Sequence, residues 1–159
     1  MLKDTKVVAI QAPIPLSKDE GEAQIKRLVA EAVKETVDIV GLSEDCVAPL
    51  KDIQAGYDPL RFLSQLAKEN NVYLFGANVV KEPDGKLYNS AFFFNKQGKL
   101  LARHHKVVLT PPEAEDGLIP GNSLEIIDTE FGKIALMVCK DSFNRYAAWF
   151  FDKFHQQNV

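Results

Sequence analysis

The chain has 159 residues, of which 46% are hydrophobic and 26% charged. This composition is typical of a globular protein and excludes collagen-like, low-complexity and wholly disordered chains. Nineteen basic and 22 acidic residues give a net charge of −3, which is not the basic excess expected of a protein that binds nucleic acid. The sequence has no apolar run near the roughly 18 residues that span a bilayer. It also lacks a signal-peptide pattern, so we expect a cytoplasmic protein in which Cys46 and Cys139 are free thiols.

The chain begins with a strand and a helix. A short apolar run at residues 6–12 predicts a buried strand. Ser17 and Glu20 then have the spacing of a capping box. Apolar residues at i, i+3, i+4 and i+7 behind this box predict an amphipathic helix that ends near residue 35.

A second strand and a second helix follow. The apolar run at residues 37–42 predicts the strand, and its end delivers Glu44 into a loop. Asp58 is a good N-cap residue, and Pro59 suits the first helical position. The first half of the chain therefore alternates strands and helices.

The second half contains extended runs separated by short turns, which are hairpin signals. These runs are residues 72–81, 86–95, 99–107, 124–128 and 132–138. A long loop rich in proline lies between the third and fourth runs, and a helix is predicted over about residues 145–157. This mixture predicts an α/β (α+β) domain in which helices pack on sheets.

Three side chains are candidates for chemistry, and each also has an ordinary structural interpretation. Cys139 ends an apolar strand and precedes a helix, where the helix dipole favours a thiolate nucleophile, but it could be a buried structural cysteine. Glu44 could act as a general base or could be a solvated loop acid. Lys106 could stabilise an oxyanion or could lie on the surface.

The sequence predicts no metal site. His104 and His105 are neighbours on a strand, so their side chains point to opposite faces and cannot share one ion. A phosphate-binding glycine loop and a nucleophile elbow of the Gly-x-Ser-x-Gly type are also absent from the sequence.

Together, the three strand ends supply a glutamate, a lysine and a cysteine in the order Glu44, Lys106 and Cys139. This pattern resembles the nitrilase superfamily, the carbon–nitrogen hydrolases. The resemblance extends over essentially the whole chain. The segments that carry it are VVAIQA, VDIVGLSE, NNVYLFGANVVKEPDGKLYNSAFFFNKQGKLLARHHK, KVVLTPPE with GLIPGN, and FGKIALMVCKD.

The resemblance implies a mechanism without metal or cofactor. Cys139 would attack a small amide, ureido compound or nitrile, Glu44 would transfer protons, and Lys106 would stabilise the oxyanion with the backbone N–H of Lys140. Lys106 would also lower the pKa of the thiol. Glu113 would hold or assist the site as a second acid.

The resemblance also implies an architecture. Members of the superfamily resemble an α-β-β-α sandwich, of which this chain would be roughly the N-terminal half to two-thirds. We therefore expect residues 1–159 to form a single carbon–nitrogen hydrolase domain that is incomplete at its C-terminus. A homodimer or higher homo-oligomer is expected, because the helix after the nucleophile tends to lie at a subunit interface in this superfamily.

Two alternatives to an active hydrolase remain open at the level of sequence. The chain could be a catalytically inactive truncated remnant, or an interaction subunit, of the same fold. It could also be an unrelated binding domain that carries the glutamate, lysine and cysteine by chance.

Overall fold

A computed structural model of the chain describes residues 4–143, 148–149, 151–152 and 156. The strands in this part are β1 (Val7–Ile10), β2 (Ile39–Glu44), β3 (Tyr73–Lys81), β4 (Leu87–Phe94), β5 (Leu100–His105), β6 (Ile126–Thr129) and β7 (Gly132–Ala135). The helices are α1 (Lys18–Ala32), α2 (Leu50–Gln54), α3 (Pro59–Asn70), α4 (Pro111–Glu115) and a 3-10 helix at Cys139–Ser142.

Five strands form one sheet in the order β1-β2-β3-β4-β5. The first three strands are parallel to one another, and β4 and β5 continue the sheet as antiparallel hairpins. The parallel pairs are joined through α1 and α3, as parallel connections require a crossover. The expected alternation of strands and helices followed by hairpins is therefore confirmed.

The expectation that the first strand is buried is wrong. Among the described residues, β1 lies at the edge of the sheet and pairs only with β2. Its side chains alternate between exposed and half-buried, and Val7 is 61% exposed. An apolar run predicts a strand, but it does not show whether the strand has a neighbour on each side.

The two long helices begin where the sequence predicts. The Ser17 hydroxyl accepts a hydrogen bond from the Glu20 N–H at 3.3 Å, and the Glu20 carboxylate accepts one from Leu16 N–H at 2.8 Å. The Asp58 carboxylate likewise accepts from the Leu60 N–H at 3.0 Å. These side chains satisfy N–H groups that have no partner within the helix.

The helices cover one face of the five-stranded sheet. Ile25 and Val29 of α1 and Leu63 and Leu66 of α3 are buried against the sheet residues Val40, Leu42, Leu74, Phe92 and Phe94. A buried Leu or Ile contributes about 1.5–3 kcal/mol relative to an exposed one. This layer therefore provides the main core of the described part.

A second, two-stranded sheet packs on the opposite face. β6 and β7 form an antiparallel hairpin, and the apolar cluster beneath it joins Leu136 and Val138 to Ala77, Ala91 and Phe93 of the large sheet. The ring of Phe131 in the β6–β7 turn meets Tyr73 edge to face. The described residues therefore form a helix layer, a five-stranded sheet and the beginning of a second sheet.

Several elements and boundaries differ from the sequence predictions. Two short helices, α2 and α4, occupy segments that were expected to be loop. β2 extends to Glu44, so this residue ends the strand and does not lie in a loop. Most of the predicted helix at 145–157 lies outside the described residues. The residues of this segment that the structure describes, 148–149, 151–152 and 156, are helical.

A search of the described residues finds no helix that is both long and apolar enough to cross a membrane.

Candidate active site

Glu44 is held at the carboxyl end of a central parallel strand. The register between β2 and β3 shifts between Gly41 and Glu44. The next residue, Asp45, has a positive φ of 54° and donates its N–H to the Ala77 carbonyl at 2.9 Å. This turn ends the strand and leaves the Glu44 side chain 30% exposed. The carboxylate thus lies at the carboxyl ends of the parallel strands, where the functional groups of such sheets are commonly found.

Lys106 directly follows β5 and its side chain is only 1% exposed. Its Nζ donates to Glu113 Oε1 at 2.7 Å and to Glu44 Oε1 at 3.1 Å. Burial of an ammonium group is costly unless anions surround it. The two glutamates provide these anions, so the structure brings together three of the four predicted catalytic side chains.

Glu113 reaches this cluster because of a helix cap. It lies in the first turn of α4, and its Oε2 accepts hydrogen bonds from the Thr110 N–H at 2.7 Å and Thr110 Oγ1 at 2.8 Å. Oε1 is left to accept from Lys106. The T-x-x-E spacing of a capping box was present in the sequence and could have predicted α4.

Asn89 of β4 is a site residue that the sequence analysis missed. Its Nδ2 donates to Glu44 Oε1 at 2.6 Å and to Glu113 Oε1 at 2.7 Å. Its backbone carbonyl accepts the Lys106 N–H at 2.8 Å. The side chain is 1% exposed, so it holds two carboxylates around one ammonium in a dry environment. Nothing local in the sequence signals this role.

The charges in this cluster stabilise one another. Burial alone would raise the pKa of Glu113, but hydrogen bonds from Lys106, Thr110 and Asn89 outweigh it and lower the pKa to about 2. Burial would lower the pKa of Lys106, but Glu113 and Glu44 outweigh it and raise that pKa. Both groups of the Lys106–Glu113 pair are therefore ionised at neutral pH.

Gly121 fixes the backbone beside Lys106. Its N–H donates to the Lys106 carbonyl at 2.8 Å. A Cβ atom at this position would lie 2.2 Å from the His105 carbonyl oxygen, a distance that no side chain can adopt. The segment after α4 can follow this path only with glycine at this position.

The sequence analysis expected Cys139 to end a strand, but the structure shows otherwise. β7 ends at Ala135, and Cys139 opens the 3-10 helix Cys139–Ser142 with a φ of 43°. This left-handed conformation costs a residue with a side chain roughly 1–2 kcal/mol, and such strain occurs often at functional sites. Cys139 is exposed, whereas the other free thiol, Cys46, is buried.

Lys106 lowers the pKa of Cys139, as the sequence analysis expected, but the expectation that the thiolate is favoured overall is wrong, because the net pKa is raised. Removal of water from around the thiol and the negative charge of Glu44 together raise the pKa, while Lys106 and the backbone N–H of Lys140 lower it less. The residue is exposed as a whole, but the electrostatic influence of both Glu44 and Lys106 on its thiol places it beside the cluster. The structure thus indicates a resting thiol beside a carboxylate.

A cleft of about 150 Å³ adjoins the cluster. Glu113 and Asp45 contribute to its wall together with the apolar side chains of Val79, Leu50 and Leu118. Burial and the neighbouring Glu44 raise the pKa of Asp45 to about 6. A wider groove of about 530 Å³ lies between α1 and α3, and its lining includes none of the candidate catalytic residues.

The residues that the structure describes include no group of three or more His, Cys, Asp or Glu side chains placed to hold a metal ion. The two neighbouring histidines lie on opposite faces, as expected. His104 contacts Asp141, and His105 Nδ1 lies 2.7 Å from Ser90 Oγ.

Comparison with known proteins connects this site to a family. The sequence profile described as carbon-nitrogen hydrolase matches residues 6–151. A hydrolase of Schizosaccharomyces pombe is 34% identical over 144 residues, which cover 79% of this chain and 45% of the relative. An omega-amidase of Mus musculus is 30% identical over 152 residues, which cover 86% of this chain and 55% of the relative.

Solved structures show the same fold. A Saccharomyces cerevisiae member of branch 10 of the nitrilase superfamily matches with a TM-score of 0.78 at 28% identity, over 94% of this chain and 60% of that one. A Helicobacter pylori carbon-nitrogen hydrolase matches with a TM-score of 0.79 at 25% identity, over 91% and 55%. The expected nitrilase-like fold is confirmed, and this chain spans about half the length of the curated relatives that it matches.

Proposed function

Because the chain belongs to the carbon-nitrogen hydrolase family, we propose that it hydrolyses a non-peptide carbon–nitrogen bond through a covalent intermediate on Cys139. The observation that carries this proposal is the hydrogen bond from the buried Lys106 ammonium to the half-buried Glu44 carboxylate, together with the electrostatic influence of both groups on the Cys139 thiol. A base, a cation and a nucleophile then act on one reacting carbon.

The first step begins from a protonated thiol. Because the pKa of Cys139 is raised, Glu44 accepts the thiol proton as the sulfur attacks the carbonyl carbon. Negative charge develops on the carbonyl oxygen. The Lys106 ammonium and the backbone N–H of Lys140, both of which lower the pKa of the thiol, supply positive charge and a hydrogen-bond donor for that oxygen.

The second half of the reaction reverses the proton transfer. Glu44 gives its proton to the departing nitrogen, and the carbon–nitrogen bond breaks to leave a thioester on Cys139. Glu44 then takes a proton from water as the water oxygen attacks the thioester, and the sulfur leaves and regains a proton. With a nitrile, the covalent intermediate is a thioimidate.

Glu113 assists without direct contact with the substrate. Its low pKa keeps it anionic, so it pairs with Lys106 and leaves Glu44 as the carboxylate that exchanges protons. Asn89 holds both carboxylates in this arrangement.

Small amides are the proposed substrates, with ureido compounds and nitriles as further members of the panel. Relatives of the chain include omega-amidases, which supports the preference for amides. The proposal also places the reaction in the cytoplasm and the chain in a homo-oligomer, as part of a single carbon–nitrogen hydrolase domain.

A second candidate is an inactive remnant or interaction subunit of the same fold. The observation that favours it is the exposed position of Cys139, the proposed nucleophile. In this case the Glu44–Lys106 contact would persist as a structural ion pair.

Ammonia release from a panel of small amides, ureido acids and nitriles tests the proposal, with intact-mass detection of an acyl adduct. Wild-type protein and Cys46→Ala should release ammonia and carry the adduct, whereas Cys139→Ala should do neither. Cys46 is the matched control because burial raises its pKa to about 11. A folded wild-type chain that forms no adduct and releases no ammonia would support the remnant.

A further inference from the structure

Asp141 is a fully buried carboxylate that accepts four hydrogen bonds. Its Oδ1 accepts from the Val107 N–H at 3.0 Å and the Val108 N–H at 2.8 Å. Its Oδ2 lies 2.9 Å from His104 Nε2 and accepts from the Val138 N–H at 3.2 Å. Burial alone would raise the pKa of Asp141, but His104 and these N–H groups outweigh it and lower the pKa.

The four donors belong to two segments that carry catalytic groups. Val107 and Val108 directly follow Lys106, and Val138 directly precedes Cys139. One side chain thus joins the backbone beside the ammonium to the backbone beside the thiol. A buried carboxylate is stable only where it is well hydrogen-bonded, so these bonds hold the two segments in one relative position.

Asp141 also shapes the turn around the nucleophile. Its own N–H donates to the Val138 carbonyl at 2.9 Å, which closes the tight turn that contains Cys139 and Lys140. Cys139 has its left-handed backbone, with a φ of 43°, within this turn.

His104 supports the carboxylate from the large sheet. It is fully buried in β5, two residues before Lys106. Its Nε2 contacts Asp141, whereas its buried Nδ1 has no hydrogen-bond partner among the described residues. With a proton on Nε2, His104 donates a hydrogen bond to Asp141. The orientation of the ring is therefore explained by the carboxylate alone.

We propose that Asp141, supported by His104, is a positioning residue that sets the place of the Cys139 thiol relative to Lys106 and Glu44. It touches no reacting atom and acts through the two segments that it joins. This inference rests on the proposed function and adds to it a residue outside the predicted catalytic set.

The first test is Asp141→Asn. The asparagine oxygen can still accept from Val107 and Val108, but its NH₂ group then faces the Val138 N–H, so the bonds on the Cys139 side are lost. A displacement of about 1 Å can reduce a rate about 100-fold. We expect kcat for ammonia release to fall by this order, while circular dichroism shows a folded chain.

A second readout needs no substrate. The pH midpoint of Cys139 alkylation by iodoacetamide reports the pKa of the thiol. In an otherwise wild-type chain, Glu44→Gln should lower this midpoint, because the charge of Glu44 raises the pKa of Cys139. The size of this shift measures the coupling between Glu44 and Cys139. In the Asp141→Asn background, Glu44→Gln should shift the midpoint much less, because the thiol no longer lies beside position 44. A purely structural role would leave this coupling unchanged.

Asp38→Asn is the matched control. Asp38 is also a buried aspartate, and it accepts a backbone N–H from Lys6 at 3.0 Å, far from the thiol. This variant should lose stability but keep the coupling between Glu44 and Cys139.

A pair of His104 variants keeps the proposal testable if Asp141→Asn does not fold. His104→Gln retains a donor for the carboxylate and should keep kcat within about threefold, whereas His104→Leu removes the donor and should lower kcat about tenfold. Equal kcat values for the two variants would overturn the inference. So would a folded Asp141→Asn chain with unchanged coupling.

The result also separates this inference from the proposed function. If Glu44→Gln does not shift the Cys139 midpoint in wild-type protein, the proposed catalytic arrangement is wrong, and the inference falls with it. If the wild-type shift is present and Asp141→Asn leaves it intact, only the positioning role is wrong.

Discussion

The two parts of the candidate site are held by different kinds of structure. Lys106 is buried, and its ammonium contacts Glu44 and Glu113 directly, with Asn89 bound to both carboxylates. Cys139 lies on an exposed turn with a left-handed backbone. The charged part is fixed by contacts between side chains, whereas Cys139, the proposed nucleophile, is fixed through its neighbouring backbone.

This difference separates stability from activity. Changes in the charged cluster disturb buried ionic groups, so they should affect both folding and catalysis. Changes at Cys139 remove a side chain from an exposed turn, so they should affect catalysis with little cost to folding. Four predictions test this contrast, from the largest expected effect to the smallest.

Lys106→Met should cause the largest loss. The substitution leaves the Glu44 and Glu113 carboxylates together without a cation, and loss of one partner from a buried ionic cluster costs about 3–5 kcal/mol. Urea unfolding should show this loss, and ammonia release should stop. Lys133→Met is the control, because Lys133 pairs with Asp128 at the surface and should change the free energy of unfolding by less than about 1 kcal/mol.

Glu113→Gln should make the free energy of unfolding depend less on pH below about pH 4.5. The folded-state pKa of Glu113 is about 2, below its ordinary value of 4.5. The contribution of Glu113 to the free energy of unfolding, of the order of 3 kcal/mol, is therefore present above about pH 4.5 and lost as the pH falls toward 2. Urea midpoints measured across this range should fall less steeply in the variant. Glu115→Gln, an exposed change in the same short helix, should keep the wild-type slope.

Asn89→Leu and Asn78→Leu should have equal effects on stability but different effects on activity. Both asparagines are buried in adjacent strands. Asn78 bonds only backbone groups at Val47, Ala48 and Val79, whereas Asn89 bonds the two catalytic-site carboxylates. Each change should cost about 2 kcal/mol. Only Asn89→Leu should also lower kcat in the folded fraction, and equal kcat values would show that Asn89 has no special role.

The smallest effect concerns backbone strain at the nucleophile. Cys139 has a φ of 43°, a conformation that glycine adopts without cost. Cys139→Gly should therefore be about as stable as Cys139→Ala or more stable, by up to about 1 kcal/mol in thermal unfolding. At Cys46 the order should reverse, with glycine the less stable. If the alanine variant were more stable than the glycine variant at both positions, the backbone of Cys139 would not be strained.

The sequence predicted the order of the elements and indicated the candidate catalytic residues because both depend on local patterns. The hairpin turns, the helix caps at Ser17 and Asp58, and the apolar strands before the functional residues are all readable within a few positions. The edge position of β1 was not readable, since an apolar run is the same with one neighbouring strand or two. The T-x-x-E cap that starts α4 was readable but missed.

The remaining features of the site depend on contacts between distant residues. Asn89 bonds Glu44 and Glu113 across 45 and 24 residues of sequence, so no spacing rule indicates it. The pKa of Cys139 depends first on how far the fold removes water from the thiol, and then on how strongly Glu44 and Lys106 act on it. The sequence shows neither quantity, so the predicted net direction of the pKa was wrong.

Gly121 has a consequence for how this protein can vary. It has no functional group, yet a Cβ atom there would collide with the His105 carbonyl beside Lys106. Gly117 differs, because its φ is 80° and a Cβ atom there would have open space. A library of all amino acids at each position, selected for activity, should return only glycine at 121 but also asparagine and aspartate at 117. Steric fit beside Lys106 alone therefore limits which residues position 121 can hold.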